Sequence, residues 1–214
     1  MELRAERDSD VDNWKEVTLV YNSALKQIST KLEILNDEFG HVHSYNPIEH
    51  IKSRIKTSES IVKKLRKHGH ESTIQNMVRY VNDIAGIRVI CSFTSDIYQI
   101  ADMIGNQSDI KVISVKDYIV YPKPSGYKSY HMLVTVPVYL SDRIVDTKVE
   151  IQIRTVAMDF WASHKINYKF EGNAPAYIKN ELIECSKMVS ELDRRMLSLN
   201  EEILMINEEQ KRCV

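Results

Sequence analysis

Only three cysteines occur in the 214 residues, Cys91, Cys185 and Cys213, odd in number and far apart. They match neither a disulfide framework nor a CxxC zinc signature, so reduced thiols are expected, with Cys91 in the core. Six glycines and five prolines are too few for a fibrous or low-complexity chain. Net charge is nearly absent: 29 Lys plus Arg stand against 30 Asp plus Glu, leaving -1. Such a chain has no general attraction to nucleic acid or an anionic membrane, and any anion site must be a local cluster. No apolar run approaches the ~18 residues a membrane span requires. The first twelve residues carry acids where a signal peptide would place its apolar segment. A cytoplasmic protein with no membrane or DNA partner is expected. The apolar fraction of 43% is enough to bury a core, and the length suits one medium domain with helical extensions.

Between Trp14 and Phe39 the apolar residues Trp14, Val17, Tyr21, Ala24, Ile28, Leu32, Leu35 and Phe39 recur three or four apart, which predicts an amphipathic helix. After a polar break, Pro47 stands where a first helical residue would. Ile48, Ile51, Ile55, Ile61 and Leu65 continue a helical stripe to Gly69, predicting a second helix. A short helix is expected over 72–81 and a strand at the β-branched run IRVICSF, then a helix over 95–104 and a strand over 110–115. A Pro/Gly loop follows at 121–127 and a strand over 130–138. VEIQIRT alternates strictly, Val149, Ile151 and Ile153 on one face and Glu150, Gln152 and Arg154 on the other. Helix is expected again over 155–170. Last, Ile178, Leu182, Cys185, Val189, Leu192, Met196, Leu199, Ile203 and Ile206 are spaced alternately by four and three, a heptad seam. The pattern predicts a mixed α/β (α+β) domain over 47–174, flanked by an amphipathic helix in 1–46 and a helix in 175–214 whose seam favours helix–helix contact, either between chains in an oligomer or within the chain as a helical hairpin.

Three motifs carry candidate chemistry. Lys52, Arg54, Lys56, Lys63, Lys64, Arg66 and Lys67 fall in a stretch of predicted helix whose only acid is Glu59. A run of this kind serves as a solvated face as readily as a phosphate site, but Ser60 and Lys64 align a hydroxyl and an ammonium along one side. Glu150 on a strand, with Asp83 ahead of another, could hold a hard divalent cation against phosphates; a water-facing strand and a turn acid are the alternatives. The loop KDYIVYPKPSGYKSYH interleaves Lys116, Lys123 and Lys128 with Tyr118, Tyr121, Tyr127 and Tyr130, which suits a nucleobase with its phosphates or a loop packed on its own domain.

Taken in order, SRIKTSESIVKKL, DIAGIRVICSF, KDYI with PKPSGYKSYH, VEIQIRTVAMDFWA and HKINYK resemble the synthetase domain of the RelA/SpoT family in its stand-alone form, the small alarmone synthetases. The resemblance implies a nucleotidyltransferase-like mixed sheet flanked by helices. It also implies transfer of the β,γ-pyrophosphate of ATP to the 3′-hydroxyl of GDP or GTP, giving ppGpp or pppGpp and AMP. By the same resemblance Arg54 and Arg88 flank adenine, while Lys56, Ser60, Lys64 and Lys67 hold ATP phosphates. Asp83 and Glu150 bind Mg²⁺, and Glu150 is the base for the 3′-hydroxyl. Tyr127 stacks on guanine, Lys123, Lys128 and His131 lie near the acceptor phosphates, Gln152 supports the site, and Asp159 reads guanine, whose N1–H and N2–H₂ edge offers two donors. A homotetramer is implied as well. Alarmone-degrading relatives use a separate His-Asp domain, and this sequence has no His-Asp dipeptide, so synthesis without hydrolysis is expected. The family pattern W-A-x-x-E-H is shortened here: Trp161-Ala162-Ser163 runs straight into His164, a change of about 200° in helix phase that bears on His164 and Tyr168.

Two other classes fit part of this pattern. A non-catalytic RNA-binding or regulatory module could use the basic segment and tyrosine loop, but would not require both Asp83 and Glu150. A related transferase could act on adenine nucleotides or tRNA ends, against which Tyr127 with Asp159 favours free guanine nucleotides. Regulation by RNA or alarmone is compatible with these motifs and not derivable from them.

Overall fold

The computed structural model describes residues 2–43, 45–163 and 174–212, with the side chains of 2–13, 43, 208, 211 and 212 excepted. Cys213, His164, Tyr168 and the expected helix over 164–170 therefore lie outside the described residues. The elements in chain order are α1 (Glu2–His43), β1 (Ile48–Ile55), α2 (Ser58–Lys67), α3 (Ile74–Tyr80), β2 (Ala85–Cys91), α4 (Thr94–Gly105), β3 (Lys111–Asp117), β4 (Tyr130–Tyr139), β5 (Ile144–Thr155), α5 (Val156–Ser163) and α6 (Ala176–Arg212). Five strands form one sheet in the order β1-β2-β5-β4-β3. Only the β2–β5 pair is parallel; the other three are antiparallel.

Strict alternation in β5 divides the sheet into two faces. Val149, Ile151 and Ile153 are fully buried, in one apolar cluster with Ile87 and Val89 of β2, with Ala24, Ile28 and Leu32 of α1, and with Ile97, Ile100 and Ile104 of α4. The predicted stripe of α1 thus covers the sheet's apolar face, and burial of each such aliphatic side chain contributes about 1.5–3 kcal/mol. Cys91 is buried in the same cluster, as expected, and free.

The segment from Pro47 to Gly69 is not one helix. Ile48–Ile55 is an edge strand paired antiparallel with β2, and only Ser58–Lys67 is helical, begun by Thr57, whose hydroxyl accepts from the Ser60 amide at 3.3 Å. The apolar spacing misled for a physical reason. A register shift between Ile48 and His50 lets residues three apart share a face of the strand, and Ile51 and Ile55, four apart, share it by simple alternation. Both spacings also fit a helix. Lys52 and Arg54 consequently project from a strand, and the contiguous basic helix face does not exist.

The C-terminal helix α6 has two distinct faces. Ser186 is buried and Ile183, Ser190, Asp193 and Leu197 are partly buried, docking its first half on the domain. The stripe Leu192, Met196, Leu199, Ile203 and Ile206 is about half exposed throughout, from 49% to 56%.

Candidate functional site

The sheet's second face is polar, and strand register aligns it. Lys116 of β3, His131 of β4, Gln152 of β5, Arg88 of β2 and Lys52 of β1 are successive register partners, one from each strand. Register partners share a face, so these five form a row across the sheet. One step along the strands, Arg54, Gly86 and Glu150 form a second row. Gly86 places no side chain between Arg54 and Glu150, which leaves the floor open there. Over this face lies a cleft of about 1210 Å³, walled by the 123–127 loop, Trp161 and Ser163 of α5, and Leu182 and Ile183 of α6. Smaller recesses of about 250 Å³ beside Lys52 and Arg54, and about 220 Å³ beside Ser114 and Lys116, adjoin it. A single-ligand pocket is usually ~300–1,000 Å³, so this cleft has room for two substrates.

At one end, Asp83 follows α3 and precedes β2. Its carboxylate accepts from Lys56 Nζ at 2.7 Å and from Lys64 Nζ at 2.8 Å. Burial pushes this carboxyl upward, but the two ammonium hydrogen bonds outweigh it and hold Asp83 below the usual carboxylate range. Glu150 behaves alike: burial raises it, while hydrogen bonds from His131 and Gln152 prevail and lower it. Asp83 and Glu150 are the acids among the described residues lining the cleft. Both are ionised at neutral pH. The described residues contain no cluster of three His, Cys, Asp or Glu suited to a metal ion.

At the other end a continuous polar network surrounds Tyr127. Arg154 Nη2 donates to the Tyr127 hydroxyl at 2.5 Å and to Gln152 Oε1 at 2.9 Å, and Arg154 Nη1 donates to Asp159 Oδ1 at 3.1 Å. Gln152 Nε2 donates in turn to Glu150 Oε2 at 2.8 Å. Tyr127 Oη lies 2.8 Å from His131 Nε2. Arginine only donates, so the tyrosine hydroxyl accepts from Arg154. His131 Nδ1 faces Glu150 Oε1 at 3.5 Å. Arg88 Nη1 also reaches Asp159 Oδ1, at 3.0 Å. Lys123 Nζ stands 4.6 Å from the Tyr118 ring centroid and 4.9 Å from that of Tyr127, a cation over two aromatic faces.

The 123–127 turn is fixed to α6. Gly126 adopts φ +86°, and a Cβ there would lie 2.9 Å from Ser186 Cβ, so glycine serves both the left-handed turn and the close approach. Ser186 Oγ donates to Gly126 O at 2.5 Å, and Trp161 Nε1 donates to Leu182 O at 2.9 Å.

Of the residues singled out by sequence, Arg54, Asp83, Arg88, Lys123, Tyr127, His131, Glu150 and Gln152 line the cleft. Lys56 and Lys64 reach it through Asp83, and Asp159 through Arg88 and Arg154. Three stand apart. Ser60 is exposed and hydrogen-bonded to Thr57, and Lys67 is exposed in the last turn of α2. Lys128 donates to Ser190 of α6 rather than entering the cleft. Sequence reasoning missed Arg154 and Lys52 as site residues. The alternation of VEIQIRT already put Arg154 on the face of Glu150 and Gln152; Lys52 was concealed by the mistaken helix.

The same residues fall within a known family. Residues 53–173 match the region found in RelA / SpoT proteins. GTP pyrophosphokinase YwaC of Bacillus subtilis is 46% identical over 195 residues, 90% of this chain and 93% of that protein. The crystal structure of small alarmone synthetase 2 from Bacillus subtilis superposes with a TM-score of 0.80 at 45% identity, covering 89% of this chain and 99% of that one. Small alarmone synthetase 1 from the same organism, bound to its product pppGpp, gives 0.81 at 34% identity over 89% and 98%. With a family match over more than half its length, and relatives that align over nearly all of it, the chain belongs to the RelA/SpoT family.

Proposed function

We propose that the protein is a GTP pyrophosphokinase, a small alarmone synthetase that transfers the β,γ-pyrophosphate of ATP to the 3′-hydroxyl of GDP or GTP. One observation carries this reading: a single cleft is lined by Asp83, which carries the ammonium groups of Lys56 and Lys64, by Glu150, and by Tyr127, with Asp159 joined to the cleft through Arg88 and Arg154. The cationic pair on Asp83 suits a polyphosphate donor. Tyr127 with Asp159 suits a guanine base.

Pyrophosphoryl transfer requires little covalent chemistry from the protein, so positioning and charge neutralisation dominate. Arg54 and Arg88 on adjacent strands take the adenine, and Lys56 and Lys64 the donor phosphates. Tyr127 stacks on guanine, with Lys123 and His131 towards the acceptor phosphates. Glu150, ionised and steadied by Gln152 and His131, accepts the proton of the 3′-hydroxyl as that oxygen attacks the β-phosphorus. Asp83 and Glu150 supply two carboxylates, the oxygen donor set Mg²⁺ takes when phosphates and water complete its shell, and the ion would neutralise charge on the transferred group. Lys67, Ser60 and Lys128 are assigned to phosphate contacts on resemblance alone.

The exposed stripe of α6, with the heptad spacing that favours helix–helix contact, supports assembly through this helix into a homotetramer, within a division into 1–46, 47–174 and 175–214. The reaction is tested by incubating labelled ATP and Mg²⁺ with GDP, GTP, GMP or ADP and separating products by chromatography. A 3′-pyrophosphorylated guanine nucleotide with equimolar AMP is expected, and Glu150→Gln should lose at least ~100-fold in rate. Products formed equally from ADP would refute guanine selectivity, and near-normal turnover in the variant would refute the base assignment.

A further inference from the structure

Arg154 is 3% exposed, a permanently charged group on the floor of the cleft. A buried guanidinium is costly unless every nitrogen is engaged, and an apolar side chain of similar volume usually stabilises a fold at least as well. Each nitrogen here is engaged: Nε with Ser129 Oγ at 3.2 Å, Nη1 with Asp159, Nη2 with both Tyr127 and Gln152. Cζ also lies 5.1 Å from the Tyr127 ring centroid. Three of these four partners belong to the acceptor end of the cleft, and each receives a definite instruction. The Tyr127 hydroxyl is held as an acceptor, which fixes the ring. Asp159 has Oδ1 held by Arg154 and Arg88 together, which fixes the carboxylate beside the cleft. Gln152 is held by its carbonyl, which turns its NH₂ group onto Glu150.

Building on the proposed function, we infer that Arg154 is the positioning residue of the acceptor subsite. Its planar fork fixes the stacking ring, the base-reading carboxylate and the amide beside Glu150 as one unit, and so determines the preference for guanine. A lysine cannot replace it: an ammonium keeps the charge but offers donors from a single point and cannot span acceptors on several sides of a plane. Arg154 acts through Tyr127, Asp159 and Gln152, not on the reacting atoms.

The test compares wild type, Arg154→Lys and Tyr127→Phe. Calorimetric affinities for GDP, IDP and ATP are measured with kcat and KM, and urea unfolding is followed in parallel. IDP lacks the N2 amino donor of guanine, so the GDP/IDP ratio reports how well Asp159 is aimed. For Arg154→Lys, GDP affinity should fall at least tenfold and the GDP/IDP ratio at least fivefold, with ATP affinity within twofold of wild type. Tyr127→Phe, which keeps the ring and removes one anchor, should weaken GDP severalfold, and the double variant should lose less than the two single losses combined. Equal losses for ATP and GDP with the ratio unchanged would make Arg154 merely structural and overturn the inference. If Arg154→Lys shows no cooperative unfolding, Tyr127→Phe decides alone: wild-type GDP affinity and GDP/IDP ratio would overturn the inference. A wild type that binds GDP without turning over overturns the proposed reaction and leaves these affinities to judge Arg154; one that binds no guanine nucleotide overturns both.

Discussion

Replacing Asp83 by asparagine removes the one carboxylate that Lys56 and Lys64 share. In the protein, two ammonium groups lie 2.7 and 2.8 Å from its oxygens, and about a fifth of the Asp83 side chain is exposed. The cluster of two ammoniums and one carboxylate carries a charge of +1, and the substitution raises it to +2. Exposed ion pairs contribute roughly 0–1 kcal/mol, while breaking a buried pair costs about 3–5, so a partly buried pair should cost about 1–3 kcal/mol of stability. The effect on donor binding has the opposite sign. Without metal, the extra unit of positive charge acts on the phosphates at contact distance, where a unit pair is worth about 1 kcal/mol in water and about 4 at an effective dielectric of 20. Metal-free ATP should therefore bind at least about fivefold more tightly to Asp83→Asn than to wild type. Turnover with Mg²⁺ should nevertheless fall at least ~100-fold, because one of the two carboxylates proposed to hold the ion is gone. Calorimetric titration of ATP in EDTA, urea unfolding and initial rates measure the three effects. Turnover within a few-fold of wild type, or weaker metal-free ATP binding, would refute the reasoning: the first removes Asp83 from the reaction, the second makes it an organiser of the lysines.

Gly126→Ala should reduce guanine-nucleotide affinity and cost more than ~1 kcal/mol of stability, since alanine is strained at φ +86° and its Cβ would meet Ser186; unchanged urea midpoints and GDP titrations would contradict this. Leu192→Glu with Leu199→Glu should leave a folded monomer in sedimentation equilibrium, whereas a wild type that already sediments as a monomer would remove assembly from the account. Asp83 and Glu150 have folded pKa values depressed below their unfolded ones. Their stabilisation is fully present above the unfolded values, about 3.9 and 4.3, and is lost as pH falls through the folded values. The gap in urea midpoint between wild type and Asp83→Asn should accordingly shrink steadily as pH falls from about 4 towards the depressed folded pKa; a gap that stays constant as pH falls below about 4 would contradict the ion-pair explanation.

The parts of the site that one strand alone supplies were legible in the sequence. VEIQIRT alternates so strictly that the faces of Glu150, Gln152 and Arg154 followed from period alone; the partial burial of Glu150 and Gln152 agrees, whereas the near-complete burial of Arg154 depends on the partners packed around it. Residues whose placement depends on other elements were not legible. Lys52 required the edge pairing of β1, hidden by a register shift that mimicked helical spacing. Lys128 required knowing that Ser190 of α6 stands beside it. The bond between Gly126 and Ser186, sixty residues apart, leaves no local trace in composition. The heptad stripe of α6 was visible, but not that its first half, with Ile178, Leu182 and Val189, is partly buried while its second half from Leu192 to Ile206 stays exposed.

The most direct measurement is ³¹P NMR of the products formed from ATP, GDP and Mg²⁺ by the wild type, with Glu150→Gln alongside. AMP and, in equal amount, a guanosine nucleotide carrying a diphosphate on both the 5′ and 3′ positions should form, with at least ~100-fold less from Glu150→Gln. Formation of ADP with a single phosphoryl group on the acceptor, or the same product at comparable rate from Glu150→Gln, would contradict the proposed mechanism.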